Sequence, residues 1–183
     1  MSYLKKCLGL LCVFVSFLIS CDNNLLNKQI KDFASTPIII PIDKMEYKIC
    51  SLFPDTIQIG KNYRVVNYID KHQCVDCVLS YYSAIEGDKQ YEDIMKRVSM
   101  VYIIDVDSLT KDDVCSYLYN ERIKGKVYLD SQGSFIKSNP MVAESQLFQT
   151  FVLDDRNKIV LLGDPFKNEQ MVELLRTRIS NAH

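Results

Sequence analysis

The stretch Tyr63 to Tyr82, YRVVNYIDKHQCVDCVLSYY, decides how the chain folds. Its first seven residues, Tyr63 to Ile69, are rich in β-branched and aromatic side chains and read as a buried strand. Its last part changes period. Val75, Val78, Leu79 and Tyr82 recur at i, i+3, i+4 and i+7, the spacing of one helix face. Between the two periods lie Asp70-Lys71-His72-Gln73 and Cys74-Val75-Asp76-Cys77, so a dithiol sits where a strand gives way to a helix. Cys74 falls at the start of that helix, where unpaired backbone N–H groups and the macrodipole favour a thiolate. Cys77, one turn on, is close enough to resolve a mixed disulfide. His72, when protonated, would lower the Cys74 pKa further, and Asp76 would raise it.

Outward from this centre the elements alternate. Thr36 to Pro41 is a β-branched run closed by prolines and predicts a short edge strand. Met100 to Val106 (MVYIIDV), apolar but for Asp105, predicts a strand in the middle of a sheet. Thr110 with Asp112 and Asp113 reads as a helix start that turns Val114, Leu118 and Ile123 inward and stops at Gly125. Val127 and Leu129 alternate in a short strand. Phe148 to Asp154 and Lys158 to Leu162 flank a polar turn and predict a hairpin. Asn168 can cap a last helix with Val172, Leu175 and Ile179 inward and Arg176 and Arg178 near its C-terminal end. The order predicts an α/β fold, a central mixed β-sheet with helices on both faces, with no room for a second domain.

Composition narrows the function. Of 183 residues, 22 are basic and 23 acidic, with no long single-sign run, so the footprint needed for phosphate-backbone binding is missing and no nucleic-acid partner is expected. At the N-terminus, Lys5 and Lys6 precede the uncharged apolar run Cys7 to Ile19, which has signal-peptide length and is short for a membrane span. Leu18-Ile19-Ser20-Cys21 follows and resembles the lipobox of bacterial lipoproteins. That resemblance implies cleavage before Cys21, lipidation of its sulfur, and a membrane anchor. The expected organisation is a signal peptide over residues 1–20, a lipidated N-terminus and tether over 21–35, and one domain over 36–183. Leu25, Leu26 and Ile30 could support a turn of helix in the tether. The expected location is the bacterial cell envelope, lipid-anchored and facing the periplasm, with the choice of inner or outer membrane open.

In an oxidising compartment Cys50, Cys74, Cys77 and Cys115 could pair, and three full pairings are possible. Cys50 and Cys115 read as small core residues that could also bridge. The Cys74–Cys77 pair has three readings: a redox-active dithiol, an inert structural disulfide, or part of a metal site. A metal would need further ligands, and His72, Cys50, Cys115 and His183 complete no zinc spacing, so none is expected. Val78 in place of histidine after Cys77 excludes c-type haem attachment.

The strand, the Cys74-Val75-Asp76-Cys77 motif and the helix resemble the thioredoxin superfamily. With an N-terminal anchor, the chain is most similar to its membrane-tethered TlpA/ResA-like thiol-disulfide oxidoreductases. MVYIIDVDS from Met100, KVYLDSQGSF from Lys126 and QTFVLDDRNKIVLLGDP from Gln149 follow in the order of that family's second strand, central stretch and hairpin, so the resemblance runs roughly from Tyr63 to Ile179. It implies that Cys74 attacks a substrate disulfide and Cys77 releases the product. The implied partners are disulfides of exported proteins and a membrane electron donor, since the chain has no nicotinamide or flavin fingerprint and no cofactor is expected. Two positions depart from the family. Phe148-Gln149 stands where the family has a substrate-facing cis-proline, and Gln73 replaces the usual aromatic residue before the first cysteine. The competing expectation is a non-catalytic lipoprotein that uses the same scaffold as a binding or structural module.

Overall fold

The computed structural model describes residues 25–48, 62–106, 111–121 and 123–180. The expectations for residues 1–20, Cys21, Cys50, Thr110 and His183 lie outside them. The chain divides into two units, one ending at Thr36 and one beginning at Pro37. In the first, residues 25–35 form helix α1, three turns where a turn was expected, and the Ser35 and Thr36 hydroxyls both donate to the Asp32 carbonyl at 2.9 Å. Among the described residues no helix is long and apolar enough to cross a membrane.

Among the described residues the second unit is built on six strands: β1 (Glu46–Lys48), β2 (Tyr63–Ile69), β3 (Val98–Ile104), β4 (Lys126–Leu129), β5 (Thr150–Leu153) and β6 (Ile159–Leu162). Their order across the sheet is β1-β4-β3-β2-β5-β6. Pairs β2/β3 and β3/β4 are parallel, and β1/β4, β2/β5 and β5/β6 are antiparallel. Helix α2 (Val75–Gly87) follows β2, the short α3 (Glu92–Met95) leads into β3, α4 (Lys111–Glu121) precedes β4, α5 (Ser134–Ser138) follows it, and α6 (Glu169–Ser180) comes last.

Every residue of β3 is buried, the polar Ser99 included, as its central place in the sheet requires. On one sheet face Val65 and Ile69 of β2, with Met100, Tyr102 and Ile104 of β3, join a single core with Leu79, Tyr82 and Ile85 of α2, Val114 and Leu118 of α4, and Val172, Leu175 and Ile179 of α6. The alternate β2 residue Tyr68 faces the other way, its ring 5.5 Å from Phe135 of α5. Helices thus lie on both faces.

Particular side chains fix the joints. Asn168 Oδ1 accepts from Met171 N at 3.0 Å and starts α6. Asp130, fully buried, accepts from Ser134 N and Phe135 N at 2.8 and 2.7 Å and starts α5, while Gly133 takes a left-handed φ of 62° between them. At Gly125 a Cβ would lie 2.5 Å from the Tyr102 ring and 2.9 Å from the Met100 carbonyl, so only glycine lets the chain enter β4 here.

Three expectations need correction. Residues 37–41 form no strand: proline supplies no ladder donor, and Ile39 is instead held by the Asn139 side chain, N to Oδ1 at 2.9 Å and carbonyl to Nδ2 at 2.7 Å. The edge strand beside β4 is β1. The helix carrying Val114 and Leu118 ends at Glu121, before Gly125, and Ile123 is buried from the following loop. The first hairpin strand begins at Thr150, because Gln146–Phe148 form a 3-10 turn.

Candidate active site

Cys74 is the N-cap of α2, with extended backbone dihedrals, and its Sγ accepts from Cys77 N at 3.2 Å. Cys74 and Cys77 form a disulfide with Cα atoms 5.3 Å apart, and both residues are exposed. The N–H that caps the helix is therefore the one that would hold a Cys74 thiolate once the bond is reduced. Sequence periodicity foresaw this placement because the helix face (Leu79 and Tyr82 buried, Val75 and Val78 against the core) can form only if Val75 opens the helix.

The loop before Cys74 is held by a closed ring of three residues. Asp70 N donates to Gln73 Oε1 at 3.0 Å, Gln73 Nε2 donates to Gln149 Oε1 at 3.0 Å, and Gln149 Nε2 donates to Asp70 Oδ2 at 3.0 Å. The backbone joins in: Tyr68 N donates to the Gln149 carbonyl at 2.8 Å and Gln149 N to the Gln146 carbonyl at 3.2 Å. Asp70 Oδ1 accepts from His72 N at 2.7 Å, which turns the loop toward Cys74. No described peptide bond is cis. One expectation at this loop changes. Phe148 does not face a substrate, since its side chain is fully buried; Gln149, 7% exposed, turns its carboxamide to Asp70 and Gln73 and lines the cleft beside Cys77.

Among the described residues, hollows border the disulfide on the Cys77 side and on the Cys74 side. A cleft of about 930 Å³ is lined by Cys77, Val78, Tyr81, Gln149, Thr150 and Asp164 among others, with Asn67 on strand β2 beneath. Tyr81 Oη donates to Asp164 Oδ2 at 3.0 Å across it. Burial, and then the Asp164 carboxylate, push the Tyr81 and Tyr82 phenols up, so both stay protonated. A smaller hollow of about 370 Å³ lies against Cys74 and brings together His72, Asp76, Asp105 and Asp113. His72 and Asp76 are both exposed. Nearby, Tyr68 Oη reaches Asp105 Oδ2 at 3.3 Å, and burial together with that carboxylate pushes the Tyr68 phenol up. Cys115 is a half-buried thiol on α4 packed against the core; it lines neither hollow, although its neighbours Asp113, Val114 and Tyr117 line the smaller one. Its pairing with Cys50 falls outside the described residues.

Sequence reasoning missed Asn67 and Asp70. For Asn67 a signal existed, a carboxamide inside the otherwise apolar second half of β2.

The strand order, the βαβ unit that carries the disulfide at a helix start, and the terminal hairpin followed by a helix define a thioredoxin-like fold. No family model and no curated protein matches the chain. Solved structures do. A candidate electron transfer protein from Aquifex aeolicus aligns at 15% identity over 79% of this chain and 98% of its own, with a TM-score of 0.50. An uncharacterised thioredoxin-like protein from Porphyromonas gingivalis aligns at 19% over 68% and 80%, with a TM-score of 0.48. The thioredoxin domain of a thiol-disulfide oxidoreductase from Bacteroides vulgatus aligns at 13% over 67% and 81%, also with a TM-score of 0.48. At these identities the similarity is one of fold.

Proposed function

We propose that the chain is a lipid-anchored thioredoxin-like protein that exchanges its Cys74-Cys77 dithiol with disulfides of exported proteins on the periplasmic side of the envelope. The observation that carries this reading is the exposed disulfide whose Cys74 sulfur already accepts the Cys77 N–H, at the edge of an open cleft. In the reduced protein, the Cys74 thiolate attacks a substrate sulfur. The substrate S–S bond breaks, a mixed disulfide forms, and the first substrate thiolate leaves and takes a proton. Cys77, as thiolate, then attacks the Cys74 sulfur, frees the second substrate thiol and restores the Cys74–Cys77 bond. Two electrons pass to the substrate, and a membrane dithiol donor returns them. TlpA/ResA-like kinship, lipidation at Cys21 and the periplasmic address belong to the same proposal, and they rest on the Cys74-to-Cys77 and Leu18-to-Cys21 motifs.

A 148–149 loop covering Cys74 would favour the binding-module alternative; Cys74 is exposed, which favours exchange. The test is the reduction potential of the pair together with disulfide reductase activity. Exchange catalysts fall between about -120 and -270 mV. A potential below about -300 mV, or activity that survives Cys74→Ser, would sink the proposal. Cys77→Ser should instead accumulate mixed disulfides on Cys74.

A further inference from the structure

The parallel strands β2 and β3 end side by side, Ile69 opposite Ile104, and the helix that carries the dithiol begins shortly beyond the end of β2. One acid follows each of three strand ends: Asp70 after β2, Asp105 after β3 and Asp130 after β4. Two of these are engaged by N–H groups. Asp70 accepts from His72 N and Gln149 Nε2, and Asp130 accepts from Ser134 N and Phe135 N. Asp105 differs. Its own N donates to the Ile69 carbonyl at 2.9 Å, which sets it beside the start of the loop to Cys74. Among the described residues its carboxylate takes a single bond, from Tyr68 Oη to Oδ2 at 3.3 Å. Tyr68 is buried, and that burial together with the Asp105 charge pushes its phenol up, so it remains a donor.

Of the three acids, Asp105 alone lines the hollow that Cys74 borders. That hollow holds about 370 Å³, about 9 Å across as a sphere, close to the screening length of about 8 Å at physiological salt. Charges on its wall therefore reach the Cys74 sulfur. The other titratable side chains facing it are Lys71, His72 and Asp76 around the start of α2, and Asp113 and Tyr117 on α4. Lys71, His72, Asp76 and Asp113 are exposed, so water and salt weaken their fields, and Tyr117 is a phenol. Asp105 is half-buried and tied at both its N–H and its carboxylate, which keeps its charge in one place. It opposes the helix start: the first N–H groups of α2 favour a negative sulfur, and a fixed carboxylate facing the same hollow disfavours one.

We propose that Asp105 is a positioning residue that acts through Cys74: its carboxylate disfavours the Cys74 thiolate and so makes the dithiol a stronger reductant. The inference rests on the exchange reading above and deepens it by naming what sets the poise of the site. The Cys74–Cys77 disulfide carries no charge, so the carboxylate acts on the reduced form alone, and destabilising the reduced form lowers the potential of the pair. The same charge has opposite effects on rate at the two ends of the pH scale. Below the Cys74 titration midpoint it leaves less thiolate to react, and above the midpoint it leaves a thiolate of higher basicity, which is the better nucleophile.

The test follows the reduced full chain. Iodoacetamide, an uncharged probe, alkylates its thiols across a pH series, and mass spectrometry of the Cys74 peptide gives the rate at that sulfur. In Asp105→Asn, whose carboxamide oxygen can still accept the Tyr68 hydroxyl, the Cys74 midpoint should fall by about 0.5 to 1 pH unit. The two rate profiles should then cross. Below the midpoint the variant reacts about two- to fourfold faster, and above it about two- to threefold slower. A defect of packing does not change sign with pH. Asp105→Glu, which keeps the charge, should hold the midpoint within about 0.3 pH unit of the wild type, and Asp105→Ser repeats the loss of charge if the asparagine variant folds poorly. At a pH above both midpoints, a redox buffer should place the potential of Asp105→Asn above that of the wild type, by about 30 mV for a tenfold change in thiolate. An unchanged midpoint in both neutral variants, or rates displaced by one factor at every pH, overturns the assignment and leaves the exchange reading standing. Asp113→Asn removes an exposed carboxylate from the same hollow and should move the midpoint less than half as far; an equal shift makes the summed charge of the hollow the determinant and overturns the role of Asp105. A wild type that reduces no protein disulfide overturns the exchange reading and this one with it.

Discussion

Replacing Gln149 by leucine removes two of the three bonds in the ring that anchors the loop before Cys74. Gln73 Nε2 and Asp70 Oδ2 then lose their partners, while the Asp70 N to Gln73 Oε1 bond survives. A net amide–amide bond is worth about 1 kcal/mol and a bond to a carboxylate about 1.5–3 kcal/mol, so the gross loss is about 2.5–4 kcal/mol. Water can reach part of it, because Asp70 and Gln73 are half-buried. The added leucine surface recovers about 1 kcal/mol. The expected destabilisation of the oxidised protein is therefore about 1.5–3 kcal/mol. Equilibrium urea unfolding, with the m-value checked for constancy, measures it directly. A change below about 0.5 kcal/mol would show that the ring makes no net contribution and that this loop is held by its backbone bonds alone. Gln149→Asn, too short to span the ring, should fall near leucine and not near the wild type.

Other joints yield similar tests. Gly125→Ala forces a Cβ against the Tyr102 ring and the Met100 carbonyl, and should cost about 1–3 kcal/mol by chemical denaturation. Asp130→Ala leaves the Ser134 and Phe135 N–H groups bare at a fully buried site, and should cost about 2–5 kcal/mol, read as a lowered melting temperature. Glu86 accepts from Tyr102 Oη at 2.6 Å and Lys124 N at 2.7 Å, and burial raises its pKa. The folded state then holds the Glu86 proton to a higher pH than the unfolded chain does, so its contribution to stability falls as pH rises from about 4 through the raised value. Glu86→Gln removes this titration, and its stability relative to the wild type should improve between pH 4 and pH 8. A constant difference would contradict the raised pKa.

Much of the architecture was legible where one residue pattern and one physical demand coincide. The run at β2 and the i, i+3, i+4 spacing after Cys74 each have a single buried solution, and the structure places β2 over the same seven residues, Tyr63–Ile69. Asn168 and the apolar triplet of α6 carry their own start and face. What escaped depends on distant partners. β1 is three residues long and exists because β4 offers it an antiparallel edge. Residues 37–41 have strand-like composition but meet the Asn139 side chain, a hundred positions away from Ile39. The ring joins Asp70 and Gln73 to Gln149, 79 and 76 positions on, and three polar residues scattered in sequence give no period to read.

The resemblance to a family with proline near position 149 invites the view that Gln149→Pro would restore a missing part. The geometry argues otherwise. Proline removes the N–H that bonds the Gln146 carbonyl at 3.2 Å, and it removes both side-chain bonds of the ring. It also disfavours the helical conformation of the residue before it, and Phe148 lies in a 3-10 turn with its ring fully buried. The backbone angle of Gln149, φ -84°, lies close to what proline accepts, so the penalty comes from lost bonds and from Phe148 and not from residue 149 itself. Gln149→Pro should therefore be less stable than Gln149→Leu by a further 1 kcal/mol or about that, one backbone hydrogen bond. Measured side by side in urea, a proline variant as stable as the wild type would mean that the loop can adopt the family's geometry at no cost. The ring would then be a consequence of the substitution at 149 and not the element that holds the loop.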